Sequence, residues 1–205
     1  SPCMAANSKV TANTTLSFFY DGDTISPTMS INNIVISAPS CHFSDESQVS
    51  EEAQMIIDST LLNCTEEGPF MLTITVSSTS NSICAQFLYV YDSIAPTLTP
   101  SLAAKSKVQA STALSFTANE AIQSTGITFF GSFATSELGC TFGEPSLVGQ
   151  VVTANLESCE AQGPFLLTVS VLDMANNSGS HTVHYDYVDP DHASLFAGFA
   201  PANFD

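Results

Sequence analysis

The sequence predicts an all-β protein: two tandem antiparallel β-sandwiches followed by an extended C-terminal tail. Three observations carry this. "CTEEGPFMLTITV" at 64–76 returns as "CEAQGPFLLTVSV" at 159–171. Short runs of high β-propensity alternate apolar and polar residues along the whole chain. Two cysteine pairs fall at matching places in the two halves.

The repeat sets the organisation. Behind the first match, "SKVTANTTLSF" at 8–18 aligns with "SKVQASTALSF" at 106–116, and Cys41 aligns with Cys140. The offset between copies is 98 or 99 up to Cys41/Cys140 and 95 from Cys64/Cys159 onward, so the second copy lacks four residues between its cysteines. A loop must absorb that loss. The expected divisions are a first domain at 1–94, a second at 95–188 and a tail at 189–205. The few residues from Ser93 to Pro96 join the domains, and the Ala95-Pro96 step restricts the backbone, which predicts a semi-rigid pair.

Each element follows from its own pattern. "FMLTITVS" and "FLLTVSVL" put Leu72, Ile74 and Val76 on one side of an extended ribbon and are strands. "TLSFFY", "NNIVIS" and "AQFLYVYD" read the same way, as do "ALSFTA", "GITFFG" and "HTVHYDY" in the second copy. "SEEAQMIIDSTLL" opens like a capped helix at Ser50, but its counterpart "LVGQVVTANLE" holds Gly149 and a β-branched run, which decides for a strand. Six or seven short strands in about 95 residues make a two-sheet sandwich.

The cysteines follow the repeat. Pairs that recur in register are most simply bonded as Cys41–Cys64 and Cys140–Cys159, leaving Cys3 and Cys84, which have no cysteine counterparts in the second copy, to bond to each other. Closing loops of about twenty residues should contribute roughly 3 kcal/mol per bridge. No C-x-x-C spacing occurs, so zinc thiolates are not the reading, and an extracellular, oxidising compartment is. The chain starts "SPCM" with no charged-then-apolar leader, as expected of a chain whose signal peptide has been removed or was never included.

"GPFLLTVSVLDMANNSG" followed by "HTVHYDY" resembles the end of a bacterial-type immunoglobulin-like repeat, where a Gly-x-aromatic corner leads into a strand, a turn and a last strand. "YDSIAPTLT" at 91–99 is similar to the junction between such repeats. The resemblance spans about residues 7–188 and implies architecture. Three departures mark this chain. Phe70 and Phe165 stand where the family often has a corner Tyr, Trp is absent, and the cysteines are too close in sequence for the usual inter-sheet bridge.

Charge excludes several partners. Three Lys, no Arg and twenty acids give a net charge of −17, so nucleic acid is not an expected partner, nor is an anionic membrane surface. No apolar run reaches the ~18–20 residues of a membrane helix, and no membrane insertion is expected.

Catalytic chemistry is not expected. The four His, at 42, 181, 184 and 192, join no recognisable nucleophile and base, and His181 and His184, three apart on a strand, point to opposite faces. The carboxylates in "YDGDT" at 20–24 suit a turn as well as calcium. No cofactor is expected; a structural Ca2+ between Asp92 and Glu120 at the domain junction rests on fold analogy alone. Sequons at Asn13, Asn63 and Asn176 offer N-linked glycan sites, with Asn176 in an expected turn.

These readings point to a non-enzymatic subunit of an extracellular filament, fibril or surface layer whose partners are copies of itself. The alternative is a stalk or ligand-binding module of a secreted or cell-surface adhesin, with glycans or surface proteins as partners. Two features suit self-assembly. Lys9, Lys105 and Lys107 all lie in the leading segments of the copies, where they would face acidic surface or protect an edge. In the tail, Leu195, Phe196, Phe199 and Phe204 are too apolar to leave in water without cost and would lie along a neighbouring subunit.

Overall fold

The computed structural model describes residues 8–21, 28–34, 41–44, 47–51, 54–77, 82–133 and 138–189. Cys3, His192 and the tail residues Leu195, Phe196, Phe199 and Phe204 lie outside the described residues, as does most of "YDGDT". All regular structure among the described residues is β. The chain divides into two compact units between Ile94 and Ala95.

The first unit holds β1 (Lys9–Val10), β2 (Thr15–Asp21), β3 (Thr28–Ile34), β4 (Cys41–Phe43), β5 (Ser47–Glu51), β6 (Gln54–Cys64), β7 (Gly68–Ser77) and β8 (Ser82–Tyr91). One sheet runs β1-β8-β7-β3; the other runs β2-β6-β4, with β5 also on β6. The stretch that opens like a helix is therefore the β5–β6 hairpin, as its counterpart in the second copy required. Leu16, Ile57, Leu61, Phe70, Leu72 and Tyr89 fill the space between the sheets.

The second unit repeats this plan with β9 (Leu98–Pro100), β10 (Lys107–Val108), β11 (Ala113–Ala118), β12 (Thr128–Ser132), β13 (Gly139–Phe142), β14 (Ser146–Val148), β15 (Val151–Cys159), β16 (Gly163–Leu172) and β17 (Ser178–Tyr187). The order is β10-β17-β16-β12-β13-β15-β11-β9, with β14 on β15. Strand β13 pairs with both β12 and β15 and so joins the two faces at one side. The leading segment is divided: β9 adds to β11 antiparallel, then the chain crosses and β10 adds to β17 parallel. This strand order is that of an immunoglobulin-like sandwich.

The opening motif now has a physical account. Gly68 and Gly163 start β7 and β16 at φ 131° and 112°, a region that L side chains rarely enter. The next residue but one, Phe70 or Phe165, is buried and packs on Tyr89 at 5.8 Å or Tyr185 at 6.2 Å. The corner hydroxyl that Phe forgoes is replaced in the second unit by another: Tyr185 Oη donates to Leu102 O at 3.3 Å and ties the leading segment down.

A second repeated device sits before β2 and β11. Asn13 and Ser111 both take positive φ, 67° and 71°. Their N–H groups donate to Leu61 O and Leu156 O, both at 2.7 Å, while the Thr14 and Thr112 hydroxyls accept from the Thr11 and Gln109 N–H groups. The four missing residues are located as well. Five cross-strand pairs in β5–β6, from Ser47↔Asp58 to Glu51↔Gln54, become three in β14–β15, from Ser146↔Thr153 to Val148↔Val151. Removing two whole pairs shortens the hairpin without turning any side chain to the other face.

Candidate functional site

The cysteine pairs sit directly opposite one another on neighbouring strands. Cys41↔Cys64 joins β4 to β6 and Cys140↔Cys159 joins β13 to β15, each with Cα atoms 4.0 Å apart and each bonded. They staple strands within one sheet, in accord with their short spacing. Cys84 is different: it is exposed and has no disulfide partner among the described residues, and its expected partner Cys3 lies outside them. The register shows why the expected Cys3–Cys84 bond has no parallel in the second unit. Val76↔Ile83 matches Val171↔Gly179, so Cys84 corresponds to Ser180 on β17. The counterpart of Cys3, Ser101, donates its N–H to Ser115 O on the other sheet at 2.9 Å.

The three lysines do not share one role. Lys9 Nζ binds Asp92 Oδ2 at 2.6 Å within the first unit, so its charge is taken up beside the β1–β8 pairing. Lys105 and Lys107 are exposed. Lys105 sits at φ 65° with its N–H donating to His184 O at 2.7 Å, which fixes the backbone beneath its side chain. Together Lys105, Pro164, His184, Tyr185 and Asp186 line a surface hollow of about 230 Å³. Tyr185 forms its floor; burial raises that phenol above its ordinary 10.0.

This hollow lies at one end of the outer face of β12, β16 and β17. Along that face Phe130, Thr168 and Thr182 stand opposite one another in register. Phe130 is 66% exposed. Thr168 and Thr182 share a hydroxyl hydrogen bond at 3.0 Å. Phe129 turns inward and packs against Phe116 and Phe142, whereas Phe130 faces out. Two consecutive residues of a strand face opposite ways, so one of the pair had to turn outward.

The carboxylates singled out for calcium lie in different units. Asp92 is buried in the first and holds Lys9. In the second, a carboxylate oxygen of Glu120 lies within 4.8 Å of one from Asp173. Asp173, which the sequence reading missed, is fully buried and holds the β16–β17 turn: Oδ1 accepts from the Ala175 and Asn177 N–H groups at 2.7 and 2.8 Å, and Oδ2 from Asn177 Nδ2 at 2.8 Å. The signal was present in "DMANN", an Asp two residues before an N–H that its side chain can accept. His42 is exposed, His181 turns inward against Phe116 and His184 turns outward. All three sequon asparagines are exposed. Asn176 takes φ 70° and its side-chain oxygen accepts from Gln123 Nε2 at 2.9 Å.

No family model and no curated protein matches the chain. Solved structures are similar to it. The I-band fragment I67–I69 from titin is 12% identical over 92% of this chain and 66% of its own, at a TM-score of 0.46. CopC from Methylosinus trichosporium OB3b is 15% identical over 46% of this chain and 95% of its own, at 0.36. PcoC, a methionine-rich copper resistance protein from Escherichia coli, is 10% identical over 46% and 100%, at 0.37. The fold itself is defined by the strand order given above.

Proposed function

We propose that the chain is a non-enzymatic structural subunit of an extracellular filament or surface layer, polymerising through contacts between sandwiches and through its C-terminal tail. One observation supports this most. In both units the leading strand runs parallel to the last strand in the same register, with Val90 and Asp92 N–H donating to Ser8 and Val10 O, and Asp186 and Val188 N–H donating to Ser106 and Val108 O. Tension between the ends of a unit would pull these parallel strands along one another and load their bonds together rather than one at a time. A cross-strand disulfide in each unit suits the same purpose and an oxidising compartment. Negative-stain imaging and sedimentation of the full chain test the reading: filaments are expected, and they should be lost on deleting 190–205. Monomers at every concentration, or unchanged filaments after the deletion, would count against it.

A second reading, a ligand-binding module of an adhesin, draws on the outward Phe130 beside the Thr168–Thr182 pair. An exposed aromatic ring flanked by hydroxyls is the surface a sugar ring would use.

A further inference from the structure

We infer that the outer face of β12, β16 and β17 binds an acidic oligosaccharide, with a carboxylate-bearing sugar seated in the Lys105 hollow and a following ring stacked on Phe130. This rests on the binding-module reading of the second unit and is independent of filament formation.

Charge gives the first argument. The chain has three lysines against twenty acids; exposed Lys105 lines this hollow, and exposed Lys107 stands on β10 as the register partner of Asp186. A concave site that presents an exposed ammonium on a strongly anionic chain is the place where an anionic group is least repelled. Lys105 and His184 meet at its rim through the bond between the Lys105 N–H and the His184 carbonyl, so the ammonium extends from a fixed backbone position. Asp186 also lines the hollow and narrows the choice. A bare inorganic anion would be repelled by that carboxylate. A sugar acid offers hydroxyls for Asp186 to accept and a carboxylate for Lys105, and so suits both.

Shape and spacing give the second. The hollow, at about 230 Å³, is below the usual range for a drug-sized ligand and suits one ring. Pro164 and Thr168 are four residues apart on β16, which is roughly 13 Å of strand. Thr168 is the register partner of Phe130, so the distance from hollow to exposed ring is that of a short oligosaccharide and not of a single sugar. The outward residues between them, Leu166, Thr182 and Thr168, carry no charge, and the surface there offers hydroxyls and an apolar ring.

The first unit lacks the same surface. The register places Asn32 where Phe130 stands, Leu88 where His184 stands and Val90 where Asp186 stands. The site therefore belongs to the second unit alone.

The test uses the full, disulfide-bonded chain in titration calorimetry with tetragalacturonate and, as the neutral control, its methyl ester. Tetragalacturonate should bind, more weakly as salt rises, and the ester should bind at least about tenfold more weakly. Lys105→Gln and Phe130→Ala should each cost about tenfold in affinity with an unchanged melting profile. Equal binding of acid and ester, untouched by Lys105→Gln but lost in Phe130→Ala, would overturn the acidic ligand and leave the binding-module reading standing. No binding of either sugar overturns the inference. If Lys105→Gln instead weakens self-association in sedimentation while no saccharide binds, the hollow faces a second copy of the chain and the inference is wrong.

Discussion

Replacing Gly179 with Ala should selectively unravel the start of the second unit. A Cβ built on Gly179 would lie 2.0 Å from Pro96 O and 2.9 Å from both Pro96 C and Pro96 Cγ. The obstacle is backbone, so no rotamer change relieves it, and the leading segment must move away by more than an ångström. Two bonds attach that segment next to Pro96: Thr97 N–H to Asn119 Oδ1 at 2.7 Å, and Asn119 N–H to Thr97 O at 3.1 Å. Losing both costs about 1 kcal/mol each, and the residual overpacking adds about 1–3 kcal/mol. Leu98, buried at the first residue of β9, stands to lose part of its contact as well. A total of about 3–5 kcal/mol corresponds to a fall of roughly 12–40 °C for a domain of this size. Calorimetry of the full chain supplies its own control, since the first unit carries Ile83 at the equivalent position and its transition should not move. A fall of less than about 4 °C in the second transition would refute the reasoning, because the segment would then be free to shift without loss.

Three further outcomes are expected. Replacing Cys140 and Cys159 together by Ala should cost the second unit about 3 kcal/mol, and Cys41 with Cys64 the first unit a similar amount, read as the drop in each transition against the unreduced protein. Asp173→Ala removes the acceptor of three hydrogen bonds from a fully buried turn and should cost about 2–4 kcal/mol, with amide exchange rising first at Ala175 and Asn177. The raised Tyr185 phenol means the unfolded chain ionises first as pH rises, so the contribution of this group to the second unit is fully present below its ordinary 10.0 and is lost as the pH rises above it, a loss that Tyr185→Phe should largely remove when melts are compared across the alkaline range.

Much of the frame was legible because single residues in the repeated motif report several constraints at once. In "GPFLLTV" the Gly-x-aromatic spacing marks a corner and the alternation a strand; the corner consists of a positive-φ Gly followed by a buried Phe, and the strand has one buried face. The recurring cysteines gave their pairing because bonded partners must be duplicated together. What stayed hidden depended on choices between two equivalent local states. "GITFFG" requires one Phe in and one out, yet only the packing of Phe129 between Phe116 and Phe142 decides which. Nor does alignment alone place Cys84: Gly179 and Ser180 both fit as its counterpart yet face opposite ways, and the ladder from Val171↔Gly179 selects Ser180. The division of the leading segment between two sheets is a tertiary outcome that no local pattern encodes.

The two copies differ mainly where the chain meets solvent, and that difference bears on function. The corner Gly, the buried corner Phe and the bonded cysteine pair stand at matching positions in both units, so both copies keep the same frame. At outward positions of β17 and its neighbours, the second copy has Phe130, His184 and Asp186 in place of Asn32, Leu88 and Val90, and its leading lysines are free where Lys9 is bound to Asp92. A purely structural pair of identical spacers would need no such divergence. An exposed ring, a free ammonium and a half-buried carboxylate on one face of only one unit are the groups that the proposed saccharide contact would use, and the shared frame would hold them in place.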